Sequence, residues 1–398
     1  MLLKLLLSSG IFSVALLADI GYVQLLENYK KTNPKALNFA LEAEVIQAQK
    51  KMQTSGTPYE VFASLGQAKD KLGTRSGLEY SFGVGKTFRM PHANEIIKSV
   101  VDKETKISLL LKEEALITDM YALLNLYHQA CVQRETVSLY KQFSLQLQEL
   151  QNKNDRAYEL GEISKKDLIL WHLQQRRIKL EFEQKKSERL RIFRMLQSKF
   201  GSRLKIKNLT CNDLYDFELP RQNRSFENLL EMKRLVLSRD KHEFQSEEYW
   251  FHEAGVELSY DNELDTERYS ASVSLPLEFS VAHRKSMAQM NQLKKLQDTN
   301  EITAFKITKK KKLQAAYVTL AQIYESYNSL EGPISEDAIT LMDLTLTAYG
   351  VGESTAIEVI TVQQYVMDIL MQLQEQKADF YRELFNYYTL SITGEEFR

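Results

Sequence analysis

Ala157-Tyr158-Glu159-Leu160-Gly161-Glu162-Ile163-Ser164-Lys165-Lys166-Asp167-Leu168 has a counterpart later in the chain, Ala348-Tyr349-Gly350-Val351-Gly352-Glu353-Ser354-Thr355-Ala356-Ile357-Glu358-Val359. The offset is 191 residues (352 minus 161), and no gap is needed. Each copy reads as a helix end, a tight turn and a new helix start. Gly161 and Gly352 suit the left-handed conformation that stops a helix. Three residues on, Ser164 and Thr355 can cap the next helix, with Asp167 and Glu358 three further as capping-box partners. The helices that follow share one seam, Leu168, Trp171, Gln175, Ile178 and Phe182 against Val359, Val362, Val366, Ile369 and Leu373. That spacing is a coiled-coil stripe, in register across the duplication.

The pattern Ala-Tyr-x-x-Gly-x-x-Ser/Thr-x-x-Asp/Glu-aliphatic, once per half, resembles the periplasmic helical turns of TolC-like outer-membrane efflux proteins. The resemblance covers essentially the whole chain after residue 18. It implies a homotrimeric exit duct working with a periplasmic adaptor and an inner-membrane pump. It also implies that Asp167 and Glu358 line a narrowed periplasmic entrance, with Tyr158 and Tyr349 as latch groups. The turns at Gly161, Ser164, Gly352 and Thr355 become the adaptor-docking tips. The chain departs from the pattern at Ala157 and Ala348, where Arg often precedes the Tyr, and at Ser354, which replaces a basic residue of some gate networks. Ser274-Leu275-Pro276-Leu277 resembles the divalent-cation exporter branch, which makes metal cations the favoured substrate and drugs or a secreted polypeptide the alternatives.

Residues 1–18 carry one early cation, Lys4, then an apolar run to Ala18, the pattern of a secretory signal peptide. Cleavage is expected after Ala18, although Leu16 is larger than the small residue preferred at that place. No other segment approaches the ~20 apolar residues of a transmembrane helix. Lys and Arg (52) balance Asp and Glu (53), so the charge points to neither a nucleic acid nor an anionic surface. Cys131 and Cys211 fit no metal or redox spacing; in an oxidising compartment they can pair, which spacing does not decide.

The chain's period changes in two places. Leu78, Tyr80, Phe82, Val84 and Phe88 alternate with Glu79, Ser81, Gly83, Gly85 and Thr87, which is a strand with one apolar and one polar face. A less regular strand, Pro58 to Leu65, precedes it across a polar loop from Gly66 to Gly77. The second half repeats the arrangement with Gly255–Tyr260, a charged loop Asp261–Glu267 and Tyr269–Phe279. Pro276 would break a central ladder and belongs at the rim, where strand hands over to helix. Strands of this length and alternation are those of a membrane β-barrel. Four strands cannot close, because an open edge is untenable in lipid and about eight is the practical minimum. Several chains must therefore share one barrel; the family resemblance makes it three chains and twelve strands. A soluble hairpin pair, as on a periplasmic coiled-coil scaffold or adhesin stalk, is the competing reading.

Long helices follow each hairpin. Asn33-Pro34 opens an earlier helix that runs to about Met52. Pro91 to Leu160 would span roughly 100 Å as one helix. His283 to Val351 is its counterpart, with a break at Gly332-Pro333. Leu139, Phe143, Leu147 and Leu150 form an apolar stripe near the first turn. The expected fold is therefore mainly α with a membrane β-barrel portion. Residues 1–18 would be the signal peptide, 19–200 and 225–398 two structural repeats, and 201–224 an irregular crossover that the family places in an equatorial belt. The six histidines, His92, His128, His172, His242, His252 and His283, are scattered, the Lys309–Lys312 run reads as a solvated helix face, and no phosphate loop or nucleophile elbow is present. Neither enzymatic chemistry nor a cofactor is expected.

Overall fold

A computed structural model describes residues 19–32, 34–69, 76–200, 208–211, 214–222, 224–246, 251, 253–263, 266–276 and 281–391. The expected signal peptide lies outside the described residues. Strands are β1 (Asp19–Ile20), β2 (Tyr59–Lys69), β3 (Ser76–Arg89), β4 (Asn208–Leu209), β5 (Glu253–Glu263) and β6 (Thr266–Ser274). Helices are α1 (Tyr22–Thr32), α2 (Pro34–Thr54), α3 (Pro91–Glu159), α4 (Lys165–Ser198), α5 (Glu227–Ser246), α6 (Val281–Ser329), α7 (Ser335–Gly350) and α8 (Ala356–Ser391). Two compact units result, each drawn from both halves of the chain. One comprises residues 39–113 and 227–308; the other takes residues up to 38, 114–226 and 309 onward.

The first unit holds an antiparallel sheet in the order β2-β3-β5-β6. Directly opposed residues share a face, and the register sorts them by polarity. Val61 faces Val84, Phe82 faces Tyr260, and Tyr260 faces Tyr269, so the apolar residues of all four strands lie together. Tyr260 joins this face by ring contacts to Phe82 (5.2 Å) and Tyr269 (5.0 Å). On the other face, Ser64 bonds Ser81 (2.7 Å) and Ser259 bonds Ser270 (2.6 Å) across the strands. Phe62 is the exception there: it lies across Gly83, where a Cβ would strike its ring. The apolar face is open within the protomer: Val61 is 77% and Tyr269 78% exposed.

The strands outrun their expected ends. Gly66–Lys69 pair with Glu79–Ser76 where a loop was expected, and Asp261–Glu263 pair with Arg268–Thr266. The ladder is made by backbone groups, so it continues past the last apolar residue as long as a partner stands opposite. Pro276 follows shortly after the end of β6, and residues 277–280 of the expected strand are outside the described set.

α3 is continuous over 69 residues, whereas its counterpart is broken. A π turn at Leu330–Ile334 separates α6 from α7, with Gly332 at ψ −116 and Pro333 lacking an N–H to donate. α1 went unanticipated as a separate helix; it buries Leu25 and Tyr29 in a core with Met120, Leu123, Tyr127, Leu196 and Phe200. Lys310, Lys311 and Lys312 are exposed as expected, while Lys309 is half-buried near Glu114 and its pKa is lowered chiefly by desolvation.

The crossover is more ordered than expected. β4 pairs in parallel with β1, Asp19 opposite Asn208 and Ile20 opposite Leu209. Cys131 and Cys211 form a disulfide across 80 residues of chain. Side chains of α3 and α8 then reach the crossover's backbone. Arg134 donates to the Leu209 carbonyl (2.9 Å), Tyr127 to Thr210, Tyr381 to Tyr215 (3.0 Å), and Tyr387 to Arg221 and Gln222 (2.8 Å each). His128, wholly buried, accepts the Tyr215 N–H at Nε2 (2.8 Å). Its Nδ1 therefore carries the proton donated to the Leu124 carbonyl (2.7 Å). The Tyr381 ring lies 4.5 Å from the imidazole.

Two outcomes follow from this clasp. Closing a loop of this length constrains the unfolded chain, so reduction of the disulfide is expected to cost about 2–4 kcal/mol, read as a fall in melting temperature with reductant. His128 is held down to about 4 by burial, against 6.5 when free. The unfolded chain binds that proton first, so stability is complete above about pH 6.5 and falls as pH drops towards 4, by about 3 kcal/mol at most. Unfolding midpoints at pH 7 and pH 4.5 measure the loss, which His128→Gln should shrink.

Candidate functional site at the paired helical turns

Both duplicated turns end their helices in the same way. Gly161 has φ 77 and Gly352 φ 81, the two positive-φ glycines among the described residues. The Glu162 N–H reaches the Ala157 carbonyl (2.8 Å) and the Gly161 N–H reaches Tyr158 (3.0 Å). At the second turn Glu353 reaches Ala348 (2.8 Å) and Gly352 reaches Tyr349 (3.2 Å). These paired bonds are the Schellman arrangement, which satisfies the last carbonyls of a helix.

The caps differ by one methylene. The Ser164 hydroxyl accepts the Asp167 N–H (3.1 Å) and lies 2.6 Å from the same residue's carboxylate. Glu358 reaches further: its carboxylate accepts the Thr355 N–H (2.7 Å) and the Ser354 hydroxyl (2.9 Å), while Thr355 Oγ1 accepts the Glu358 N–H (3.3 Å). Those donors, the Thr355 backbone first, hold the Glu358 pKa below its ordinary value, so this exposed carboxylate stays ionised. Ser354 thus serves Glu358 within its own turn.

Of the two turn tyrosines, Tyr349 is the one with hydrogen bonds to another hairpin. Its hydroxyl donates to Asn154 Oδ1 on α3 (2.7 Å) and accepts from Trp171 Nε1 on α4 (3.3 Å). One phenol therefore ties the end of α7 to both helices of the other hairpin. Its pKa is raised, mainly by burial and further by Asp167. Tyr158, its counterpart, is exposed. Asn154 was missed in the sequence because nothing in its neighbourhood distinguishes it from a surface amide, and Trp171 was read only as seam. His172 bonds Asp155 (3.2 Å), linking α4 to α3.

Amides are buried along the long helices. Among the described residues, every buried side-chain atom without a hydrogen-bond partner belongs to Gln133, Gln151, Asn154, Gln174, Gln363 or Gln374. These residues lie on α3, α4 and α8.

At the level of sequence nothing matches: neither a protein-family model nor a curated protein aligns with the chain. Solved structures do match in shape. The CmeC outer-membrane channel of Campylobacter jejuni superposes with a TM-score of 0.75 at 12% identity, over 93% of this chain and 85% of that one. This is the TolC-like outer-membrane channel fold. The open state of the MtrE outer-membrane channel of Neisseria gonorrhoeae gives 0.75 at 11% identity, over 93% and 88% of the two chains. CusC, studied for folding and transmembrane channel formation, gives 0.75 at 12%, over 96% and 95%. The TolC-like fold read from the turns is thus the observed one.

Tyr349→Phe leaves Asn154 Oδ1 and Trp171 Nε1 without their shared partner. A stability loss of about 1–3 kcal/mol is expected, measured by denaturant unfolding. A neutral effect would mean that the phenol does not bind the hairpins together.

Proposed function

We propose that the protein is the exit duct of a tripartite exporter in the outer membrane of a Gram-negative cell, passively passing substrate from periplasm to exterior. The observation that carries this reading is the sheet. Its apolar residues share one face and its serines the other, which suits a wall between hydrocarbon and water. Among the described residues β2 and β6 have no strand on their outer edges, so a membrane location demands further strands from other copies. Three protomers would supply twelve strands, and the solved structures of this fold support an outer-membrane channel.

In this reading the turns at Gly161, Ser164, Gly352 and Thr355 face a periplasmic adaptor, behind which stands an inner-membrane pump. Asp167, Glu358, Tyr158 and Tyr349 form the gate. Three copies gather six carboxylates at the entrance, and the capping donors keep each Glu358 charged. A ring of carboxylates favours cations. Divalent metal cations are the favoured substrate through the resemblance of Ser274-Leu275-Pro276-Leu277 to that exporter branch, with drugs or a secreted polypeptide as alternatives.

Detergent extraction should yield a stable oligomer from the outer-membrane fraction; a water-soluble monomer with full helicity would refute the duct. In planar bilayers the pore should prefer cations and be blocked by multivalent ones from the periplasmic side. Asp167→Asn combined with Glu358→Gln should weaken both effects while Ser164 and Thr355 still cap. Unchanged selectivity and block would reduce these carboxylates to caps.

A further inference from the structure

Two helices of the duplicated hairpins carry a second stripe that the protomer leaves open. On α4 it is Ile169, Leu173, Arg176 and Leu180, spaced 4, 3 and 4 residues apart. Its counterpart on α7 begins with Ile334, the last residue of the π turn, and continues through Asp337, Leu341 and Leu344, spaced 3, 4 and 3 apart. Both spacings are those of a coiled-coil seam. Neither stripe faces the hairpin core, which takes Trp171 and Ile178 from α4 and Ala338 and Met342 from α7. All the stripe residues are exposed, Leu180 by 62% and Leu344 by 64%. A contiguous row of exposed aliphatic side chains marks a surface that a partner covers.

Charge and depth match these stripes to each other. Each is interrupted once, by Arg176 on α4 and by Asp337 on α7, and among the described residues neither side chain makes an ion pair within the protomer. The two turns stand level: Gln364 bonds Gln174 (3.1 Å), and these residues follow their glycines by 12 (364 minus 352) and 13 (174 minus 161). Distance from Gly161 or Gly352 therefore measures depth along both hairpins. Arg176 lies at 15 (176 minus 161) and Asp337 at 15 (352 minus 337). Ile169 and Leu344 both lie at 8 (169 minus 161, 352 minus 344). Leu173 at 12 (173 minus 161) is level with Leu341 at 11 (352 minus 341), and Leu180 at 19 (180 minus 161) with Ile334 at 18 (352 minus 334). α4 leads away from its turn and α7 towards its own, so the matched pairs belong to an antiparallel seam. Rotation about an axis along the helices leaves depth unchanged, and levels matched within one protomer stay matched between the copies of a closed ring.

We propose that the α4 stripe of one copy packs against the α7 stripe of the next, head to tail around the ring. Arg176 then pairs with Asp337 of the partner subunit. A lone charged pair among aliphatic contacts fixes the register, because a shift of one turn sets each charge against an apolar side chain. The number of copies and the purpose of the ring rest on the exit-duct reading; the pairing of the stripes does not.

Cysteine linking in the detergent-solubilised full-length protein reads the contact, since the native cysteines are already joined to each other. A chain with both Leu173→Cys and Leu341→Cys should link into covalent dimers and trimers under mild oxidation. Either substitution alone should link nothing, because a head-to-tail contact never sets a site opposite itself. Chains with Leu173→Cys assembled together with chains carrying Leu341→Cys should link as dimers only. Arg176→Glu or Asp337→Arg puts like charges in every interface and should cut the linked fraction about tenfold, whereas the two together should restore it to within about twofold. No link in the doubly substituted chain, links from one cysteine alone, or charge reversals that fail to rescue one another would overturn the pairing. Should a charge variant fail to fold, the cysteine chains alone decide. Linked trimers that conduct no ions in planar bilayers would uphold the pairing and end the duct reading. A conducting pore without links would do the reverse.

Discussion

Backbone N–H and C=O groups along a strand edge need partners, and hydrocarbon supplies none. That constraint organises much of the proposed assembly. β2 and β6 present such edges, and the four strands between them sort their side chains into an apolar and a polar face. A sheet so divided is stable with lipid on one side, water on the other and another copy at each edge. The helical unit meets a different requirement. Its long helices satisfy their own backbone groups along their length, and only their ends need partners from outside. Those ends are where the sequence is most repetitive, because a helix stop, a left-handed glycine and a capping box admit few residue choices.

The duplication keeps this local chemistry and varies what lies between. Glu358 reaches the Thr355 backbone where Asp167, shorter by one methylene, meets only the Ser164 hydroxyl. Tyr349 turns inward to Asn154 and Trp171, while Tyr158 stays exposed. The two turns are alike as terminators and unlike as neighbours. Two nearly identical frames can thus play unequal parts within one protomer.

What could be read from the chain follows the range of the forces. The turns, the caps, the alternating strands and the break at Gly332-Pro333 are set by residues a few positions apart, and the structure has them where they were expected. The α4 and α8 seams were legible by period, with Trp171, Ile178, Val359 and Val366 buried. Strand ends were not, because polar ladder residues such as Gln67 and Asn262 carry no apolar signal. Most of the clasp on the crossover was hidden: spacing left the pairing of Cys131 with Cys211 open, and it, the β1–β4 bridge and the tyrosines aimed at Tyr215 and Arg221 all join residues 80 or more apart in sequence. Gln363 looked like any amide beside a coiled-coil stripe, and its full burial shows only in the structure.

The parallel bridge between β1 and β4 bears on how the protein comes into being. Ile20 waits for Leu209, a separation of 189 residues (209 minus 20). A chain delivered N-terminus first therefore presents its opening strand long before its mate arrives, and loop closure over such a distance is slow. The α3–α4 hairpin, whose contacts are local, can form in the interval and bring Cys131 to the place where Cys211 will arrive. The N-terminal end of the described chain is thus fixed only once its distant partner has been made.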